Sequence, residues 1–266
     1  MRKSLIAVFS IALLAVLAVS CKKDAKAPVQ DDQISQDVLT KIYNLGFSNK
    51  NVQKHEEGYL VEGDIVITPD ELNKKPEATF LRIAEVEQYR TYNLVGSLPR
   101  TITVQVSTSL PSSYVTATDE AIRRYNAENL RVRFTRVSSG GNIFISPAPS
   151  GSGYLASAGF PSGGNPYNSV RVNSAYLGSN PGTNYLATIL AHEIGHCIGF
   201  RHTDYMNRAY SCGGSYYNEG ASTVGAVHIP GTPTGPDAGS WMLACIGSGQ
   251  NRPFNTNDRT ALNYIY

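Results

Sequence analysis

The sequence predicts an α+β fold, in which short strands lead into one long helix, an aperiodic region and a closing helix. Three observations carry this. Between residues 98 and 173, apolar and polar residues alternate in short runs separated by Gly, Ser, Asn and Pro, the mark of half-buried strands. Residues 183–198 then read as a single helix stopped by Gly199. Beyond it, residues 205–240 hold many Gly, Tyr, Ser and Pro and show no period, before "FNTNDRTALNYIY" returns to helical spacing.

Taken in order, the first twenty residues read as a targeting segment rather than part of the fold. Arg2 and Lys3 precede an apolar run over residues 5–19, too short to span a bilayer comfortably and suited to a secretory signal. Small residues then lead into Cys21, which resembles a bacterial lipoprotein signal cut before a lipid-modified cysteine. Ordinary signal cleavage with Cys21 incidental is the alternative. The expectation is an exported chain anchored by lipid at Cys21 to a bacterial membrane or cell surface, and secreted if the anchor is absent. Residues 21–33 are charged and poor in apolar residues, a flexible tether.

Residues 34–97 form a separate N-terminal region. Ile34, Val38, Leu39 and Ile42 lie at helical spacing before Gly46, and "GYLVEGDIVI" reads as one strand. Residues 70–97 are a charged junction. The main domain is expected over residues 98–266. "RTITVQV" alternates Ile102, Val104 and Val106, a helix follows at about 115–127 with Ala121, Ile122 and Tyr125 inward, and "RVRFTRV" and "NIFIS" supply further strands. A Gly-, Ser- and Pro-rich stretch ends in a short strand at 169–173. The long helix starts at Thr183, a good N-cap. The closing helix is capped near Asn255 or Thr256 and packs Ala261, Leu262 and Ile265.

Net charge is +2, from 23 basic and 21 acidic residues, a balance that argues against a nucleic-acid partner. There is no internal repeat or coiled-coil heptad, and a monomer is expected. Setting Cys21 aside leaves Cys197, Cys212 and Cys245 of the four cysteines. Cys197 falls inside the long helix and reads as a small buried residue. Cys212 with Cys245 is the favoured disulfide in an exported chain, with other pairings or none left open.

The chemistry concentrates in "AHEIGHCIGFRHTD", residues 191–204, which holds three of the chain's five histidines. His192 and His196 are one helical turn apart and share a face. Glu193 lies beside them, placed to reach a water without being a ligand. Gly199 can take the left-handed conformation that ends a helix, so that the chain reverses and His202 swings back. The pattern HExxHxxGxxH is complete. Three neutral imidazoles with a fourth position open form the donor set of one catalytic zinc ion, not the closed cysteine set of a structural one. Glu193 is then the candidate general base. A buried helix whose histidines merely satisfy core hydrogen bonds is the bland alternative, and the length of the motif argues against it. His228, in "AVHIPGTPTGPD", reads as a surface histidine before a substrate contact.

These residues resemble the metzincin clan of zinc proteases, which adds a methionine turn after the third histidine. "DAGSWMLAC" offers Met242, forty residues beyond His202 in a chain with three methionines. Within the clan, "HEIGHCIGFRHTD" is most similar to the bacterial dual-action HEIGH metallopeptidases. The likeness runs over about residues 98–266 and is densest at 186–204 and 240–266. It implies a metzincin-like twisted mixed sheet with an active-site helix, and an irregular C-terminal subdomain ending in a helix. It also implies an edge strand able to bind an extended peptide, and a role for Met242 as apolar floor beneath the ligands. Some metzincins carry a zinc-touching Tyr two residues after that methionine; here the position is Ala244. "VEGDI" is similar to the FxGD segment of astacin propeptides, whose aspartate binds zinc and keeps the zymogen inactive, with Val61 in place of the aromatic. That likeness implies a propeptide at 34–97 and Asp64 as a latency switch, while the residues alone leave Asp64 as one that turns the chain after Gly63.

The expected function is a zinc-dependent endopeptidase acting on extracellular or surface proteins. Two alternatives stay open on sequence: a zinc-binding surface lipoprotein without catalysis, and a zinc hydrolase of non-peptide amides or esters.

Overall fold

The computed structural model describes residues 33–73, 88–220, 225–233 and 235–266. The signal segment and Cys21 lie outside the described residues. From the N-terminus, α1 (Gln36–Asn44) starts at Ser35, whose hydroxyl accepts from the Val38 amide at 3.3 Å. An antiparallel sheet follows, of β1 (Gln53–His55), β2 (Gly58–Val61) and β3 (Ile65–Ile67), closed by the short helix α2 (Pro69–Leu72). Then come β4 (Tyr89–Arg90), β5 (Arg100–Val106), α3 (Ser112–Ala127), β6 (Val132–Val137), β7 (Ile143–Pro147), β8 (Ala156–Ser157) and β9 (Ser169–Val172). The chain ends with α4 (Ser174–Leu177), α5 (Thr183–Ile198), α6 (Ala209–Cys212), β10 (Val227–His228) and α7 (Thr256–Ile265). Residues Ile34–Tyr266 form one unit.

The main sheet has the order β6-β5-β7-β9-β8. Its first four strands are parallel and β8 runs antiparallel at the edge, so the sheet is mixed. Parallel neighbours need a crossover, and α3 supplies it between β5 and β6. Ile102 and Val104 of β5, Val132 and Phe134 of β6, and Ile143 and Ile145 of β7 are buried against α3 and α5. The inward residues expected of α3, Ala121, Ile122 and Tyr125, are all buried. Tyr125 donates to the Ala191 carbonyl of α5 at 2.7 Å, which ties the two helices.

Two local expectations change. The cap of α5 is Gly182, not Thr183, because the Gly182 carbonyl already accepts the Leu186 amide and Thr183 is helical. "GYLVEGDIVI" is two strands, because Glu62 and Gly63 both take positive φ (53° and 92°) and reverse the chain. Val61 pairs with Ile65 across that turn, and Asp64 sits at its tip.

The N-terminal segment has its own small core of Ile42, Leu45, Phe47, Val61, Ile65, Ile67 and Leu72, into which the main body contributes Phe160. Its β1–β2 turn docks on β9 through charge. Glu57 accepts from the Tyr167 and Ser169 hydroxyls at 2.6 Å each, and Arg171 lies at 3.1 Å. The neighbouring Glu56 also pairs with Arg171. His55 Nδ1 accepts the Glu57 amide, so its Nε2 carries the proton and faces the Tyr154 and Ser157 hydroxyls. Asp64 and Val66 reach the sheet edge, where the Ala158 amide donates to the Asp64 carbonyl and the Val66 amide to the Ala158 carbonyl. The edge expected to be open is therefore paired beside β8, in parallel sense, by this chain itself.

Burial opposes the charge of Glu57, yet the bonds from Ser169 and Tyr167, and Arg171 nearby, hold its carboxyl below the usual glutamate range. A folded value below the unfolded one gives stability that is present above the unfolded pKa and lost as pH falls through the folded one. Glu57→Gln should weaken docking of the segment by about 1–3 kcal/mol. Hydrogen exchange of the β1–β2 amides should be slow in the parent down to the usual glutamate range and quicken in stronger acid. In Glu57→Gln it should be fast throughout; unchanged exchange in the variant would refute the role given to this carboxylate.

Candidate metal centre

Almost every side chain of α5 is buried, so this helix is a core element and its polar residues each need a partner. Thr188 donates to the Asn184 carbonyl and accepts from Arg124. His192 and His196 lie one turn apart, as the spacing predicts. Gly199, at φ 110°, ends the helix in the left-handed conformation, and its amide meets the His196 carbonyl. A side chain there would also strike the Asn93 carbonyl, 2.8 Å from the place of a Cβ. The chain then turns, and His202 joins the other two.

Each imidazole has its Nδ1 committed. His192 Nδ1 donates to the Trp241 carbonyl at 2.9 Å and His196 Nδ1 to the Phe200 carbonyl at 2.8 Å. His202 Nδ1 faces the Glu219 carboxylate at 3.0 Å. Such bonds fix the tautomer and leave the Nε2 lone pairs pointing inward. His196 Nε2 and His192 Nε2 stand 3.0 Å apart, an arrangement of facing acceptors that repels unless a cation sits between them. Asp64 Oδ2 approaches His202 Nε2 at 3.1 Å and His192 Nε2 at 3.6 Å. The four donor atoms lie within 4.8 Å of one another. Donors about 2.0–2.1 Å from a tetrahedral zinc stand about 3.3 Å apart, which these separations bracket.

Charge agrees with geometry. Glu62, Asp64, Glu193 and Glu219 are buried around the cluster. Arg201 pairs with Glu62 at 2.9 Å, and Arg208 with Glu219 at 2.7 Å and with the Glu62 carbonyl. Formally two negative charges remain, which one divalent cation cancels. Asp64 Oδ1 and Glu193 Oε2 are buried without a hydrogen-bond partner, the mark of groups that serve something beyond the fold. With no cation beside it, burial pushes the Glu193 carboxyl well above its usual range, helped by Asp64, and a metal ion there would favour the carboxylate that a base needs. Burial pushes the His202 pKa down, but Asp64 and Glu219 on either side raise it further, so its Nε2 sits where positive charge is favoured and a metal ion would take the place of a proton. The residues fit a zinc ion.

Met242 is fully buried, with its sulfur against Gly195. A Cβ on Gly195 would lie 2.6 Å from Met242 Sδ and 3.2 Å from Trp241 Nε1, which explains the glycine between the two helical histidines. Ala244 donates its amide to Asp204, and Cys212 and Cys245 form a disulfide across 33 residues. Cys197 is a buried free thiol. His228 is apart from the cluster, in β10, with Nε2 at 3.1 Å from the Thr232 hydroxyl. Sequence reasoning missed Glu219, Glu62, Arg201 and Arg208. Glu219, Arg201 and Arg208 sit in no periodic segment and Glu62 lies in a stretch read as plain strand, so the "RHTD" arginine next to His202 was the one available signal. Gly195→Ala should force Met242 from its place and cost about 1–3 kcal/mol. Thermal unfolding of the metal-free chain checks this, and an unshifted midpoint would show that the close packing is illusory.

A family model described as dual-action HEIGH metallo-peptidase matches residues 59–266. A search of curated proteins gives no match. Among solved structures, myroilysin is similar at 14% identity and a TM-score of 0.42, over 65% of this chain and 82% of that one. High choriolytic enzyme 1 of the medaka fish Oryzias latipes, a hatching-enzyme zinc protease, is similar at 17% identity and a TM-score of 0.36, over 62% and 88%. The family match spans most of the chain and includes every residue of the cluster, so this protein belongs to the dual-action HEIGH metallo-peptidases, a family of zinc endopeptidases.

Proposed function

We propose that the chain is an exported zinc endopeptidase, held latent at full length by Asp64. The observation that carries the reading is the inward convergence of three Nε2 atoms whose rings are locked from behind, met by one carboxylate. A zinc ion held by His192, His196 and His202 would polarise the scissile carbonyl and bring the pKa of a water to about 7. Glu193 acts as the base: its unpartnered Oε2 takes the proton of the attacking water and passes it to the departing amine nitrogen. Glu219 and the two backbone carbonyls keep the rings oriented, and Met242 supplies an apolar floor without chemistry. The β8 edge is the place for an extended peptide, held by main-chain hydrogen bonds.

Latency follows from the turn Glu62–Asp64. With the Asp64 carboxylate against His202 and His192 the donor set has four members and no open position. Arg208 grips the Glu62 carbonyl, and Gly63 gives it room, since a Cβ there would lie 2.6 Å from Arg208 Nη2. Pairing of Asp64 and Val66 with Ala158 at the same time covers the edge that a substrate needs. The segment 34–73 therefore reads as a propeptide. The basic start, the apolar run and Cys21 support export with a lipid anchor, and proteins outside the cell or at its surface as substrates.

Metal content and hydrolysis test these roles together. His202→Ala should lose tightly bound zinc. Glu193→Ala should keep about one zinc per chain and, added to Asp64→Ala, should lower peptide hydrolysis by about two to four orders of magnitude. Asp64→Ala should raise the activity of the uncut chain. Equal rates for Asp64→Ala with and without Glu193→Ala would sink the mechanism, and equal rates for uncut parent and Asp64→Ala would sink the latency. For the anchor, mature protein should begin at Cys21 and partition into detergent, and Cys21→Ser should release it or stop its processing. Soluble exported product with an unmodified Cys21 would refute lipidation.

A further inference from the structure

Beside Glu193, and reaching the histidine cluster at His192 and Asp64, lies a cavity of about 190 Å³, with room for a single side chain; Arg208, which also lines it, is already paired with Glu219. Ile189 of α5 and Trp241, Leu243 and Ile246 around the methionine turn give it mainly apolar walls, and Arg252 is part of the lining. The guanidinium of Arg252 is fixed but not neutralised. Its Nη1 donates to the Cys245 carbonyl at 2.8 Å and its Nη2 to Gln250 Oε1 at 3.2 Å, while its main-chain amide is tied to Thr188 at 3.0 Å. Nearby arginines are treated differently. Arg124 has Glu120 at 2.9 Å, Arg201 has Glu62 and Arg208 has Glu219. Among the described residues no carboxylate pairs with Arg252 in this way. Burial pulls its pKa down and distant Asp204 only partly offsets this. A half-buried cation with two of its five donors engaged, lining an apolar pocket, lacks one thing: an anion delivered on an apolar stem.

Direction follows from the base. Glu193 lines the same cavity and passes its proton to the departing nitrogen, so the amine half of the broken bond lies on the cavity side. Resting on the endopeptidase reading above, we propose that this cavity receives the side chain of the residue that supplies the departing amine, and that Arg252 selects an acidic side chain there, glutamate over neutral glutamine. The bound carboxylate completes the guanidinium's fork of hydrogen bonds, and the apolar walls take the methylenes.

The test uses the full-length chain carrying Asp64→Ala, alongside the parent. Substrates are peptides blocked at both ends that differ only in having Glu, Gln, Leu or Lys on either side of the cut, with products identified by mass spectrometry. Glu should exceed Gln on the amine side by about ten- to a hundredfold in kcat/KM, the range of a hydrogen bond to a charged group. With Arg252→Met added, the Glu-to-Gln ratio should fall to within about threefold of one, and with Arg252→Glu the order should shift towards Lys. Equal cleavage of Glu and Gln peptides by the chain with native Arg252 overturns the inference without need of any pocket variant. So does a Glu preference on the carbonyl side, or one that survives Arg252→Met. Peptides with a free C-terminus next to the cut separate the other source of a carboxylate: if they are cut faster whatever their side chain, the pocket reads chain ends instead. Cleavage of none of the peptides, Leu included, overturns the endopeptidase reading and this inference with it.

Discussion

Everything at the centre of this molecule depends on three N–H groups that point away from it. Each cluster histidine spends its Nδ1 proton on a fixed acceptor: the Trp241 carbonyl, the Phe200 carbonyl or the Glu219 carboxylate. With that proton placed, the opposite nitrogen of each ring has one direction and one role left. The acceptors come from three different parts of the chain, namely the methionine turn, the turn after α5 and the irregular stretch past His202. The donor set therefore exists only when all three are folded around the helix. This explains why a helix that is buried on nearly every side can carry two imidazoles and a carboxylate in its middle, and why the methionine turn must pack tightly enough to demand a glycine opposite it.

The same constraint organises the N-terminal segment. A cluster of inward lone pairs calls for a cation, and the Asp64 turn adds a fourth donor to that cluster from outside the main sheet. Its carboxylate meets His202, while Glu62 meets Arg201 through its carboxylate and Arg208 through its carbonyl. The segment is thus held by charge at two separate places, this turn and the Glu57 contact on β9, with the stacked Phe47 and Phe160 rings between the segment and the body. Removing it would leave buried guanidiniums without Glu62. Losing those bonds is a cost that favours the docked state.

Much of this was legible in the sequence, and the parts that were share a property. His192, Glu193 and His196 are related by helical spacing, Gly199 by the conformation that ends a helix, and Ala261, Leu262 and Ile265 by a short amphipathic period; all are local. Asp64 was reached only through a four-residue likeness, because nothing local distinguishes an aspartate that turns a chain from one that meets three histidines, and here it does both. The strand at 58–67 was read as continuous because its residues are apolar on both sides of the turn, and the positive φ of Glu62 is not written in its residue type. Glu219, Arg201 and Arg208 were invisible for a plainer reason. Charge partners far apart in the chain leave no period, and a buried ion pair looks in sequence like any surface charge.

The Cys212–Cys245 bridge joins two places that have been described separately. Cys245 lies in the wall of the cavity beside Glu193 and its carbonyl holds Arg252, whereas Cys212 closes the loop region that leads to Glu219. Tying them across 33 residues restricts the unfolded chain by about 3–4 kcal/mol. It also makes the cavity wall and the loop that leads to the support of the third histidine one mechanical body. In a reducing environment both would loosen at once.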